Sequence, residues 1–156
     1  MLSELDRINF IVNEFMAVAK PKAMKFELEQ PKKIVSDVVA LMNAQAIMNN
    51  VQIDDAVPEE LPYISCDEIQ LKQVFINILQ NAIEAMPNGG KINVSAQWQP
   101  NVLIIKFADH GCGIPVERIK LLGEPFYSTK EKGTGLGLMI CFKIIENHNG
   151  VIKNQK

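Results

Sequence analysis

At 156 residues the chain is long enough for one domain with a sizeable core and short for two. Its 47% hydrophobic and 22% charged content is that of an ordinary globular protein, and a net charge of -2 gives no electrostatic case for nucleic acid or an anionic membrane surface. No apolar run approaches about 18 residues and no signal peptide opens the chain. Cys66, Cys112 and Cys141 form no CxxC pair and no metal spacing with His110 or His148, so buried reduced thiols are expected.

In chain order, Leu5, Ile8, Val12, Phe15 and Ala19 step by three and four along residues 2–20, a heptad seam that Ile11 and Val18 broaden. Lys20-Pro21 ends this helix, because proline disfavours helix at the residue before it. One short seam cannot bury itself; it packs on its own domain, on another helix or on a second copy of the chain. Residues 24–29 alternate as a strand, and Pro31 opens a helix to about Asn49 with Ile34, Val38, Leu41, Met42 and Ile47 inward. Val51–Asp55 and Tyr63–Cys66 read as short strands on either side of the Pro58/Pro62 loop. Asp67 is placed to cap a central helix that runs to about Met86, where Pro87-Asn88-Gly89-Gly90 stops it. Residues 91–99 and 101–108 alternate as the strands of a hairpin with a tight turn at Gln99–Asn101. A short helix over 116–122, a lid-like stretch over 123–134, a last helix over 136–148 and a stub strand, Val151–Lys153, complete the domain.

The central helix carries an unusual ridge. Gln70, Gln73, Asn77, Asn81 and Glu84 recur at steps of three or four and share one stripe. Asparagine is a poor mid-helix residue, so two of them a turn apart point to a polar ligand or a metal, against the plainer reading of an amide-rich exposed face. Two glycine clusters follow: Asp109, Gly111 and Gly113 at a strand end, then Gly133, Gly135 and Gly137 running into a helix. A glycine-rich helix entry offers N–H groups and a positive dipole end to phosphate, and is also a common plain turn. Lys130 and Lys132 lie just upstream. Neither a dinucleotide fingerprint nor a Walker A loop is present.

In this order and spacing the stretches strongly resemble the catalytic ATP-binding domain of sensor histidine kinases, in the GHKL ATPase superfamily. Residues Gln73–Ala85 resemble the family's N box, Asp109–Pro115 its G1 box, Glu124–Lys130 its F box and Gly133–Leu138 its G2 box. The likeness covers roughly residues 30–150 and is nearest to kinases of the sporulation or nitrogen-regulation type. Residues 1–20 resemble the end of the family's second dimerisation helix, which makes 21–30 a linker and first strand and 31–156 the ATP-binding domain.

The resemblance implies an α/β (α+β) two-layer sandwich, the Bergerat or GHKL fold: a mixed, mostly antiparallel sheet with helices near 31–49, 67–86 and 136–148 on one face. It implies ATP and Mg²⁺ as cofactors. Asn81 ligates the metal, Asn77 helps hold metal or phosphates, and Glu84 joins them on the ridge. Asp109 accepts from the adenine amino group, with Gly111, Gly113 and Ile114 forming the loop against the base. Phe126 belongs to the lid, Lys130 or Lys132 reaches the terminal phosphates, and Gly133, Thr134, Gly135, Leu136 and Gly137 wrap the phosphates. ATP-hydrolysing relatives carry Glu at the position of Asn77, and a neutral amide cannot act as a general base. The implied reaction is therefore γ-phosphoryl transfer to a histidine, then to a response-regulator aspartate. The intact protein is expected to be a cytoplasmic homodimer, with any membrane anchor in segments outside this chain. A regulatory nucleotide-binding module, a GHKL ATPase and an anti-sigma-type serine kinase are the alternatives. The chain departs from the family pattern in lacking an H box, and "VIKNQK" stops short of the family's last strands. It is thus expected to be a fragment that binds nucleotide but cannot autophosphorylate alone.

Overall fold

The computed structural model describes residues 4–19, 23–111, 113, 116–121 and 137–154. The chain divides into two compact units, one built from Met1–Lys25 with Pro115–Gln155 and the other from Phe26–Ile114. The second unit holds β1 (Glu27–Glu29), α2 (Pro31–Met48), β2 (Val51–Asp55), β3 (Ile64–Cys66), α3 (Glu68–Glu84), β4 (Gly90–Gln99) and β5 (Val102–Asp109). The first unit holds α1 (Glu4–Ala19), α4 (Val116–Ile119) and α5 (Gly137–Asn147).

Strand order in the main sheet is β2-β4-β5, with β2 parallel to β4 and β4 antiparallel to β5. β4 and β5 form the expected hairpin, Gln99 pairing with Val102 around a two-residue turn. Asn101 takes φ 63° there, a conformation that asparagine tolerates better than most side chains. β1 and β3 form a separate antiparallel pair with Glu27 opposite Cys66. The strand expected over 24–29 shrinks to three residues, since pairing Phe26 would require Asp67, which already caps α3, and Pro31 starts α2 at the other end. The stub expected at Val151–Lys153 joins no ladder among the described residues.

Period-two alternation sorts the hairpin residues. Ile92 and Val94 are fully buried, and their register partners Asp109 and Phe107 project from the same side. Helices α2 and α3 cover that side. From α3 come Leu71, Val74, Phe75, Leu79, Ala82 and Ile83, one apolar stripe opposite the polar ridge. Helix α2 differs from expectation: Leu41 is 66% and Ile47 64% exposed, while Val35 and Ala46 are buried beside Ile34, Val38 and Met42. The inward stripe of α2 thus runs through 31, 34–35, 38, 42 and 46, which rotates it away from Leu41 and Ile47. Asp67 caps α3 by accepting from the Gln70 N–H at 3.1 Å. Lys72 ties α3 to α2 through Asp37 at 3.0 Å and bonds Glu68 on its own helix at 2.8 Å.

In the first unit, Leu5, Ile8 and Val12 of the α1 seam are exposed, as is Met16 beside it, while the side chains of Phe15 and Ala19 lie outside the described residues. Helix α5 buries Ile140, Cys141 and Ile144. His148 ends it with Nδ1 2.7 Å from the Ile144 carbonyl; a carbonyl can only accept, so Nδ1 carries the proton. Cys66 and Cys141 are buried free thiols, as expected. Burial, reinforced by Glu29, Glu68 and Asp67, pushes the Cys66 thiol up to about 11, so it stays protonated and inert at neutral pH.

Candidate nucleotide site

Helix α3 and the end of β5 meet where the sequence placed the chemistry. The Phe75 and Phe107 rings pack with centroids 5.4 Å apart, tilted at 46°. Two and six residues beyond Phe75, Asn77 and then Asn81 lie half-buried along the ridge, with Glu84 and Gln73 exposed. Glu84 Oε1 accepts from Gln80 Nε2 at 3.3 Å, so its carboxylate is engaged along its own helix.

Asp109 ends β5 on the helix-covered side, two residues beyond Phe107. Its Oδ1 accepts the Gly111 main-chain N–H at 2.8 Å, which fixes the carboxylate against the turn that follows the strand. A Cβ on Gly111 would stand 2.9 Å from Ala85 Cβ and 2.9 Å from the Ala85 carbonyl oxygen. The loop therefore lies directly on the last turn of α3. Ala85 in turn donates its N–H to the Asn81 carbonyl at 3.0 Å. The Asn81 main chain and the Asp109 carboxylate are thus linked through two hydrogen bonds and the close approach of Gly111 to Ala85, within one compact unit.

The two loop glycines have different reasons to be glycine. Gly111 is small because protein fills the space a side chain would need. Gly113 has φ +72°, a conformation that favours glycine, with no atom of the described residues within 4 Å of where a Cβ would be. Gly137 opens α5 in the other unit, also with nothing within 4 Å. Ile114, Phe126, Lys130, Lys132, Gly133, Thr134, Gly135 and Leu136 lie outside the described residues. Two features were not read from the sequence. One is Ala85, whose only signal was a small residue at a helix end. The other is a cluster in which Asp55 takes bonds from Lys32 Nζ at 3.0 Å, Ser36 Oγ at 2.9 Å and the Val57 N–H at 3.1 Å.

Residues 66–156 match the family described as Histidine kinase-, DNA gyrase B-, and HSP90-like ATPase. The chain belongs to this family. Among curated proteins it is 51% identical over 152 residues to sporulation kinase E of Bacillus subtilis (strain 168), covering 96% of this chain and 20% of that protein. To sporulation kinase C of the same organism it is 44% identical over 154 residues, covering 98% of this chain and 36% of that one. The chain therefore spans well under half the length of these relatives. Among solved structures, histidine kinase ThkA in complex with response regulator TrrA superposes with a TM-score of 0.79 at 30% identity, covering 94% of this chain and 42% of that one. Full-length ShkA in complex with AMPPNP gives a TM-score of 0.82 at 24% identity over 92% of this chain and 32% of that one, a likeness of fold.

Proposed function

We propose that this chain is the ATP-binding part of a two-component sensor histidine kinase, which presents the γ-phosphoryl group of Mg-ATP to a histidine. The observation that carries this reading is the joining of the half-buried Asn81 ridge to the Asp109 turn through Ala85 and Gly111. One end offers amide oxygens suited to a metal and phosphates. The other offers a carboxylate whose Oδ1 is already held, leaving Oδ2 to accept from an adenine amino group.

The residues fit the group they would hold. At Gly113 no atom of the described residues stands within 4 Å of where a Cβ would be. Among the described residues no three His, Cys, Asp or Glu side chains are grouped as metal ligands, so Mg²⁺ would complete its shell with phosphate oxygens and water. Bound there, the metal would neutralise phosphate charge. Asn81 would hold it, with Asn77 and Glu84 beside it on the ridge, and Asp109, Gly111, Gly113 and Ile114 would hold the base. By the family resemblance, Phe126, Lys130, Lys132, Gly133, Thr134, Gly135, Leu136 and Gly137 are the further residues proposed to bind the nucleotide. Catalysis is then chiefly positioning and charge neutralisation, since no general base stands at Asn77.

In the same reading, residues 1–20 end a dimerisation helix and residues 21–30 link it to the catalytic domain of 31–156. The exposed Leu5, Ile8 and Val12 of α1 support this. The homodimer, a response-regulator partner and a cytoplasmic location belong to the proposal. No helix among the described residues is long and apolar enough to cross a membrane. The test supplies the chain with γ-labelled Mg-ATP and a separate dimerisation module bearing an acceptor histidine. An acid-labile, base-stable phosphoprotein is expected. Release of free phosphate with no phosphoprotein would make the chain a hydrolase instead.

A further inference from the structure

We infer that Ala85 is a positioning residue that locks the adenine-side carboxylate of Asp109 to the metal-side ridge at Asn81; this rests on the function proposed above. Ala85 is the C-cap of α3, in right-handed helical conformation with φ -76° and ψ -7°. Its N–H belongs to Asn81, through the 3.0 Å bond to the Asn81 carbonyl. Its methyl and its carbonyl belong to Gly111, each 2.9 Å from where a Gly111 Cβ would begin. The Gly111 N–H belongs in turn to Asp109 Oδ1 at 2.8 Å. The Ala85 carbonyl is main chain, so a side chain added at Gly111 could not escape it by the turning of a side chain at 85.

Two consequences follow from that geometry. The loop after β5 lies against Ala85 at Gly111 and meets no other described residue within 4 Å of a Cβ at Gly113, so Gly111 is its anchor. Branching at position 85 adds atoms on the side of Ala85 where even one added carbon on Gly111 would find too little room, which pushes Gly111 away and pulls on its bond to Asp109. Close-packed protein responds to added carbon by moving its backbone. Displacing a ligand-holding group by about 1 Å is enough to cost binding or rate on the order of ten- to a hundredfold. Ala85 touches neither metal nor base in this account; it sets the spacing between the groups that do.

The experiment is calorimetric titration of wild type, Ala85→Ser and Ala85→Val with ADP without Mg²⁺ and with Mg-ATP, each also in an Asp109→Asn background. Ala85→Val is expected to weaken both ligands by about tenfold or more, with Ala85→Ser within about twofold of wild type. In the Asp109→Asn background the Ala85→Val effect should largely vanish, because the residue acts through Asp109. A purely structural role predicts equal loss in both backgrounds and overturns the inference, as does full affinity in Ala85→Val. If Ala85→Val does not fold, Gly111→Ala presses on the same contact from the other side and is scored by the same cycle. Failure of folded wild-type chain to bind any nucleotide would overturn the proposed function and this inference with it. Wild-type binding with an indifferent Ala85→Val overturns this inference alone.

Discussion

The rings of Phe75 and Phe107, 5.4 Å apart, fix the register between helix α3 and strand β5. Asn77 follows Phe75 by two residues and Asp109 follows Phe107 by two. On the strand that step returns to the same face, so the contact commits Asp109 to the helix side. On the helix it turns the chain from the buried stripe to the amide ridge. Core packing and site assembly are therefore one event here.

Phe75→Ala should accordingly cost stability on the order of 3–5 kcal/mol, because Phe75 is only 5% exposed and its removal leaves a cavity. Denaturant unfolding checks this. Phe75→Leu should recover much of the stability and, in the folded chain, retain nucleotide binding. A Phe75→Ala chain as stable as wild type would show that the contact does not hold α3 to β5.

Asp109→Asn tests the proposed adenine side. The amide oxygen still accepts from Gly111, but a charged acceptor is exchanged for a neutral one, and such bonds contribute about 1.5–3 kcal/mol. Adenine nucleotide affinity should fall by roughly tenfold or more, with little change in the ligand-free melting temperature, since Asp109 is exposed. Equal affinity in the variant would remove Asp109 from the site.

Much of this was legible in the sequence, and what was not has physical reasons. The extent of α3 and its Asp67 cap are local signals, and both stand within a residue or two of where the sequence puts them. The hairpin was equally plain, because alternation and a two-residue turn are short-range signals. Leu41 and Ile47 were misread as inward because α2 is apolar nearly all round, and an ambiguous stripe is settled only by the partner it packs on. The contact of Gly111 with Ala85 joins positions 26 residues apart (111 − 85 = 26), and no local pattern encodes it. The likeness of four motifs to known kinases supplied the family, while the contact itself had to come from coordinates.

The Asp55 cluster gives a pH prediction. Burial alone would raise the Asp55 carboxyl, but bonds from Lys32, Ser36 and the Val57 N–H outweigh it and hold the carboxyl below its usual range. A lowered folded-state value means the stabilisation is present above the unfolded carboxylate pKa of about 3.9 and is lost as pH falls through the lower folded value. Wild type should therefore lose stability on acidification through that window, and Asp55→Asn should be less stable at neutral pH with a flatter acid limb. Melting temperatures across the acid range check it. Identical acid limbs in the two chains would mean that Asp55 contributes nothing to acid sensitivity.

The measurement that tests the central claim most directly is calorimetric titration of the chain with ATP, with and without Mg²⁺, beside Asn81→Ala. Wild type should bind ATP more tightly with Mg²⁺ than without, and Asn81→Ala should bind about equally in both conditions, having lost the amide oxygen offered to the metal. An Asn81→Ala chain that keeps the full Mg²⁺ dependence would contradict the assignment of the α3 ridge as the metal side of the site.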